Sequence, residues 1–165
     1  MNQNLFIRLA VGIIAVIIIS GCASKNVYKD KSYSKVLSEV SIATVNAKFG
    51  GSALNKEVAL LLKRAPVYLL AEMKKRGVKV VPYVDAKEAL IIQAKNAKTS
   101  CVRGGKCYTT VWYSVQLKDI KAKKLIWSGE FRAPSPHGVR GIIKDFSEEV
   151  MDSLDNSKLL PSEKK

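Results

Sequence analysis

The sequence has few of the residues from which most catalytic and metal sites are built. Its 165 residues include one histidine, His137, and only three cysteines. A triad of serine, histidine and carboxylate would need His137, but this residue lies in a Pro- and Gly-rich loop beside Ser135, and adjacent loop residues rarely reach that geometry. The pairs Gly50-Gly51 and Gly104-Gly105 lack the preceding strand and following helix of a phosphate-binding loop. The sequence therefore predicts no catalytic residue, no cofactor and no metal site.

The chain also lacks a hydrophobic run long enough to cross a bilayer as a helix. The apolar run from Leu9 to Ile19 has 11 residues, whereas a spanning helix needs roughly 20. A short polar segment containing Arg8 precedes this run, and the two together have the charged region and apolar core of a secretory signal. Residues 1–21 are therefore predicted to be a cleaved signal peptide.

The residues that follow the apolar run indicate how the chain is anchored. Ile19-Ser20-Gly21-Cys22 resembles the lipobox of bacterial lipoproteins, in which a branched apolar residue and two small residues precede the modified cysteine. The resemblance implies a thioether-linked diacylglyceryl group on Cys22, cleavage after Gly21 and acylation of the new amino group. Two or three acyl chains would make membrane attachment effectively permanent. The alternative is that Cys22 follows an ordinary signal peptide or an uncleaved anchor.

The residue after the cysteine bears on which membrane holds the protein. Ala23 stands where an aspartate would resemble the signal that retains lipoproteins in the inner membrane of Gram-negative bacteria. The resemblance therefore implies an outer-membrane lipoprotein that faces the periplasm.

Composition divides the rest of the chain into three parts. Residues 22–34 are rich in Lys, Ser and Asn, show no apolar period and are predicted to form a lipidated flexible tether. Residues 35–160 are predicted to form a single domain, since a mature chain of 144 residues can bury a substantial core. Residues 161–165 are predicted to be a frayed tail.

Periodicity within the domain predicts alternating strands and helices. The predicted segments, in order, are a strand within 35–48, a helix from Asn55 to Gly77 with a kink or break at Pro66, a strand from Val78 to Tyr83, a helical turn from Asp85 to Ala89, strands at Leu90 to Lys98, Tyr108 to Leu117 and Leu125 to Arg132, and a helix from Val139 to Leu154. This order predicts an α+β fold, with a mixed or antiparallel sheet of about four to five strands and two main helices packed on one face.

This layout is similar to that of small periplasmic lipoproteins of the curli-secretion and penicillin-binding-protein-activator types. The most specific part is a hairpin from Val115 to Asp119 and from Leu125 to Glu130, whose second strand reads Leu-Ile-Trp-Ser-Gly-Glu. The resemblance covers Lys35 to Leu154 in pattern only and implies an envelope protein. It implies no finer role, because a fold of this kind does not fix a function.

Two cysteines within the domain suggest a disulfide. Cys101 and Cys107 flank a short, turn-rich segment between strand-like runs, as at the end of a hairpin, and an exported protein meets an oxidising compartment. We expect a bond between them that stabilises the fold by roughly 2 kcal/mol. The alternatives are two free thiols, or a metal site that His137 would have to join and that would still lack a fourth ligand.

Alternation along the predicted strands places a set of aromatic and cationic residues on one sheet face. If Leu90, Ile92, Trp127 and Phe131 lie under the helices, the more apolar inward set of the neighbouring strand is Thr109, Val111, Tyr113, Val115 and Leu117. The set Tyr108, Thr110, Trp112, Ser114 and Gln116 then faces outward. We predict a partner-binding surface formed by Tyr108, Trp112, Arg132 and Lys95, because aromatic rings beside cations stack on sugars or anchor proteins. The alternative is that these residues are ordinary cross-strand pairs that shield the sheet.

The excess of basic residues restricts the kind of partner. The chain has 28 Lys and Arg against 14 Asp and Glu, with basic clusters at Lys74-Lys75-Arg76 with Lys79 and at Lys118, Lys121, Lys123 and Lys124. An exported chain meets lipopolysaccharide phosphates, peptidoglycan carboxylates or acidic exopolysaccharide rather than nucleic acid. The sequence therefore predicts a non-enzymatic, membrane-anchored assembly or binding module for an envelope protein or a polyanionic glycan. A cell-wall or lipid-modifying enzyme and a purely structural lipoprotein are the alternatives, and the oligomeric state is open.

Overall fold

Segments that alternate apolar and polar residues form the strands of one mixed sheet. The computed structural model describes residues 25–50, 52–101, 103–105, 107–134 and 138–162; the predicted signal peptide, Cys22, His137 and residues 163–165 lie outside these ranges. The elements are β1 Lys25–Lys29, β2 Glu39–Val45, α1 Ser52–Lys75, β3 Lys79–Val80, β4 Glu88–Cys101, β5 Cys107–Asp119, β6 Lys124–Pro134 and α2 Gly138–Asn156. The predicted α+β class is confirmed, with six strands instead of four or five.

The sheet order is β1-β6-β5-β4-β2-β3. Strands β4, β5 and β6 form an antiparallel meander, because short connections allow neighbouring strands to reverse. Strand β2 runs parallel to both β4 and β3. A parallel neighbour requires a long crossover, and α1 supplies it between β2 and β3.

Both helices cover the same face of the sheet. On this face lie Tyr113, which is almost fully buried, and Phe131, and their rings pack 5.2 and 6.0 Å from the ring of Phe146 on α2. The predicted inward residues Val111, Tyr113, Val115 and Leu117 are all buried in this core. At Gly129 a Cβ atom would lie 2.7 Å from Phe131 Cε2, so this strand position leaves no space for a side chain.

The first helix begins and ends through local hydrogen bonds. The helix that the sequence predicts from Asn55 begins earlier, at Ser52, and the Asn55 side-chain amide bonds to both backbone groups of Phe49, each at 2.8 Å. Pro66 lies within the continuous helix. At the other end, Gly77 adopts φ 78° and its N–H donates to the Lys74 carbonyl at 3.0 Å, the left-handed ending that favours glycine.

The structure differs from the predicted tether, because much of that segment belongs to the folded domain. Residues Lys25–Lys29 form edge strand β1 against β6. Asp30 continues this attachment: its N–H donates to the Ile126 carbonyl at 2.8 Å and its carboxylate contacts Lys124 Nζ at 2.6 Å. The hydrogen bond from Lys124 lowers the pKa of Asp30 to about 2. Pairing with a distant strand holds this segment, which is why its own sequence shows no apolar period.

The region between β3 and β4 also differs from the prediction. The strand predicted from Val78 to Tyr83 is only Lys79–Val80. The helical turn predicted at Asp85 is instead a reverse turn, in which the Asp85 N–H donates to the Pro82 carbonyl at 3.0 Å. Tyr83 and Val84 are left exposed at this turn.

Candidate functional site

The β4–β5 hairpin positions Lys95 and Trp112 on the face that the helices leave uncovered, which we call the outer face. A β-bulge between Ala94 and Asn96 leaves Lys95 without a paired residue on β5. A bulge bends the strand and redirects the side chain of the extra residue. Beyond the bulge, Trp112 lies directly opposite Asn96 on one side and Arg132 on the other.

Trp112 lies in a shallow groove of about 240 Å³, which we call the Trp112 groove. Its lining residues are Lys95, Asn96, Trp112, Tyr113 and Glu130. The indole is half-buried, while the side chains of Lys95, Asn96 and Glu130 are exposed. Two of the four predicted binding residues, Lys95 and Trp112, therefore meet in one groove.

The other two predicted residues, Arg132 and Tyr108, do not line this groove. Arg132 is exposed and is the cross-strand neighbour of Trp112 on β6. Tyr108 pairs in register with Ser100, and its side chain is outside the described set. Tyr108 and Trp112 are four residues apart on β5, so their Cα atoms are separated by about 13 Å along the strand.

Asn96 and Glu130 complete the groove, and sequence reasoning did not find them. Asn96 Oδ1 accepts a hydrogen bond from the Ala97 N–H at 2.8 Å, which fixes the side chain and leaves its amide nitrogen as a donor. Without knowledge of the bulge, simple alternation cannot place Lys95 and Asn96 at one site. The groove combines an aromatic surface with an ammonium, an amide and a carboxylate, which suits stacking and hydrogen bonding to a sugar.

A shielded carboxyl group lies on α2 and was also missed. Neither Oε1 nor Oε2 of Glu149 accepts a hydrogen bond from the described residues. Burial raises the pKa of Glu149 to about 7; the positive charge of Arg132 acts in the opposite direction, and Asp152 raises the pKa further. Glu149 therefore titrates near neutral pH and senses the charge of Arg132, a residue beside the Trp112 groove.

Three members of the predicted basic clusters form ion pairs. Lys75 Nζ lies 2.6 Å from Glu72, and Arg76 Nη1 lies 3.0 Å from Asp155. Lys124 is paired with Asp30. These three cations are paired with the protein's own carboxylates, so they are weaker candidates for contacts with a ligand than Lys95 and Arg132.

The two domain cysteines are cross-strand neighbours. Cys101 is the last residue of β4 and pairs in register with Cys107, the first residue of β5. This placement is compatible with the predicted disulfide at the end of the hairpin, since directly opposite residues have nearby Cβ atoms.

A second, larger groove lies at the opposite side of the sheet, between α1 and the edge strand β2. This edge groove has a volume of about 410 Å³. It is lined by Ser41, Ile42, Ala43, Pro66, Val67, Leu70, Val80, Val81, Pro82 and Tyr83. Its walls are mainly apolar, unlike those of the Trp112 groove.

Two further findings concern membranes and metals. Over the described residues, no helix is both long and apolar enough to span a membrane. The same part of the chain contains no group of three or more His, Cys, Asp or Glu residues placed to hold a metal ion.

The fold is similar to that of solved bacterial proteins. No family model and no curated protein sequence matches the chain. A dodecameric PelC variant from Paraburkholderia phytofirmans aligns with 81% of this chain and 97% of its own, at 12% identity and a TM-score of 0.55. A second PelC dodecamer structure from the same organism covers the same shares at 11% identity and a TM-score of 0.54. A minor lipoprotein from Acinetobacter baumannii covers 75% and 96%, at 14% identity and a TM-score of 0.46. At these identities the PelC likeness shows a shared fold.

Proposed function

We propose that this chain is a lipid-anchored, non-enzymatic module of the bacterial envelope that binds a polyanionic glycan or a protein through the Trp112 groove. The observation that supports it best is the half-buried indole of Trp112 beside Lys95 on a sheet face without helices. Exposed aromatic residues next to cations are enriched at binding sites, because the ring supplies apolar area and the cation supplies charge complementarity. Arg132 extends the positive charge along β6.

The anchor in this proposal is Cys22, modified after cleavage behind Gly21. Lys25, the first residue of β1, follows Cys22 by three positions, so the folded domain begins close to the lipid. Ala23 favours the outer membrane, with the domain in the periplasm. An oxidising periplasm also favours a disulfide between Cys101 and Cys107.

We further propose that the module works as a homo-oligomer. The two PelC structures from Paraburkholderia phytofirmans are dodecamers, and they share this fold over most of both chains. An oligomer would repeat the Trp112 groove, and repeated weak sites bind a polymeric ligand far more tightly than one site.

The test is binding of the lipidated chain to polygalacturonate, a polyanionic glycan, with neutral dextran as the reference. We expect Trp112→Ala to weaken binding by about tenfold and to change the melting temperature little, because an anchoring aromatic contributes more than about 1 kcal/mol. Lys63→Ala removes an exposed side chain of α1 that lines neither groove and is the control, which should bind normally. Added salt should weaken binding, since exposed cations contribute to it.

A protein partner is tested by a photo-crosslinking residue at position 112 in native envelopes. A specific cross-link without polygalacturonate binding would identify a protein as the partner. The absence of both a cross-link and glycan binding would contradict the proposed site. A collapse of stability in Trp112→Ala would contradict it as well.

A further inference from the structure

The sheet has two edges without a neighbouring strand in the described chain. One edge is β1, which pairs only with β6. At the other edge, β3 covers only Glu39 and Val40 of β2, and the chain then leaves the sheet in the turn at Pro82. The rest of β2 is an open edge, and unpaired edges of this kind are templates for adding another strand.

Alternation identifies which groups this open edge presents. The carbonyls of Ser38 and Val40 accept hydrogen bonds from Lys79 and Val81, so they point away from β4. In a strand the backbone groups of every second residue point to the same side. The N–H and C=O groups of Ile42 and Thr44 therefore face outward beyond the end of β3.

Exposed apolar side chains lie at or beside these same two edges. The large exposed hydrophobic residues of the described chain are Val27 and Tyr28 on β1, Val36 and Val45 before and on β2, Val67 and Tyr68 on α1, and Tyr83 and Val84 in the turn after β3. Val67 is 64% and Val84 is 88% exposed. Apolar groups gathered at particular places on a surface mark interaction sites.

The edge groove gives the open edge of β2 a pocket for side chains. Ile42 forms its floor, and α1 contributes Pro66, Val67 and Leu70. A strand added to β2 would direct every second side chain toward this apolar groove while its backbone bonds to Ile42 and Thr44. The surface thus fits an extended segment with apolar side chains.

We propose that the occupant is β1 of a second copy of this chain, paired antiparallel with residues 42–45 of β2, so that copies associate head to tail through a continuous sheet. Strand β1 is irregular at Asn26, where φ is 65° and the register with β6 shifts, but its following residues Val27, Tyr28 and Lys29 can pair with the open edge, and Val27 and Tyr28 are exposed. Lys29 does not block it, because its Nζ donates to the Ser157 carbonyl of its own subunit at 2.6 Å. This inference deepens the proposed homo-oligomer and rests on it.

The directions of the strands agree with this pairing. Strand β1 is antiparallel to β6, β6 to β5 and β5 to β4, whereas β4 is parallel to β2. A copy added in the same orientation therefore presents β1 antiparallel to β2. Every copy then has Lys25 at the same end of the sheet, so all lipid anchors reach one membrane. A two-fold antiparallel pairing of β2 with β2 would send the anchors in opposite directions.

A head-to-tail interface uses two different surfaces, and this permits a mixing test. Val67→Lys places a charge in the edge groove, and Val27→Lys places one on β1, each at an exposed residue that the fold tolerates. The mass of the lipidated chain in detergent is measured by native mass spectrometry. We expect oligomers for the wild type, monomers for each variant alone and dimers for an equimolar mixture, because each variant retains one functional edge. Ala59→Lys, an exposed position on α1 outside the groove, should still form oligomers.

A proline variant gives a second test of the interface, and the possible results separate a failure of the head-to-tail pairing from a failure of the proposed oligomer. Thr44→Pro removes an outward N–H without breaking the pairing of β2 with β4, so it should also give monomers that retain a wild-type circular dichroism spectrum. A monomeric wild type would overturn both the oligomer and this interface. A wild-type oligomer that persists in Val27→Lys, or variants that do not complement each other, would overturn the head-to-tail pairing and leave the oligomer standing. Polygalacturonate binding is measured separately: the monomeric variants should bind this polymer more weakly than the wild type, because they lack repeated sites, but the remaining binding should still depend on Trp112.

Discussion

The carboxyl group of Glu149 shows how one residue can couple stability to pH. Its oxygens accept no hydrogen bond from the described chain, and burial raises its pKa from 4.5 to about 7. A carboxyl with a raised pKa favours the folded state when it is protonated and opposes folding when it is ionised. Stability from this group is therefore fully present below pH 4.5 and is lost as the pH rises through about 7.

Replacing Glu149 by Gln should remove this dependence. We expect Glu149→Gln to raise the free energy of unfolding by about 1 kcal/mol at pH 8, a value that allows for screening of a partly exposed charge, and to change it little at pH 4. Urea denaturation at the two pH values measures the difference. Glu148→Gln is the control, because Glu148 is the preceding residue on the same helix and its side chain is exposed. Equal effects of Glu149→Gln at both pH values would show that the group does not titrate in this range.

At the scale of the elements, the proposed disulfide between Cys101 and Cys107 would mainly stabilise the end of the hairpin formed by β4 and β5. Past Gln93, β4 extends beyond β2, and its side chains from Lys98 to Cys101 are exposed. Few buried contacts hold this end together. A bond between Cys101 and Cys107 would fix the end of the hairpin and the register of the strands that form the Trp112 groove.

We expect the purified chain to contain this disulfide. Alkylation without reduction should leave Cys101 and Cys107 unlabelled, as read by peptide mass spectrometry. Cys101→Ser should lower the free energy of unfolding by about 2 kcal/mol, since closing a short loop restricts the unfolded chain by about that amount. Reducing the wild type should have the same effect, whereas reductant should not affect Cys101→Ser further. Full alkylation of the unreduced wild type would show that the thiols are free.

Elements with a strong internal period could be predicted from the sequence, and those held by distant partners could not. The stripe containing Ile143, Phe146 and Val150 predicts α2 because one helix face is buried in the core. Strand β1 has no such signal, because its pairing with β6 is tertiary and both Val27 and Tyr28 are exposed. The Trp112 groove could be predicted only in part for a similar reason. Alternation of side chains places Trp112 on the outer face, but the bulge that brings Lys95 beside it is a change of register that alternation does not predict.

At the scale of the whole molecule, the basic charge and the proposed lipid anchor would act together. The full sequence has a net charge of +14, yet Lys75, Arg76 and Lys124 are paired with carboxylates. Lys95 and Arg132 remain exposed on the outer face. A protein fixed to a membrane meets polymeric ligands at high local concentration, so even modest affinity at such a groove would suffice for binding.

The proposed anchor makes the distribution of the whole protein depend on one thiol. We expect the wild-type chain to begin at Cys22, to show the added mass of its acyl chains and to enter the detergent phase of Triton X-114. Cys22→Ala should lack that mass and enter the aqueous phase, because the acyl chains provide the membrane affinity in this proposal. Cys101→Ser controls for the loss of a cysteine and should remain in the detergent phase. A Cys22→Ala chain that still acquires the lipid mass would place the modification elsewhere and remove the basis for assigning the domain to a membrane surface.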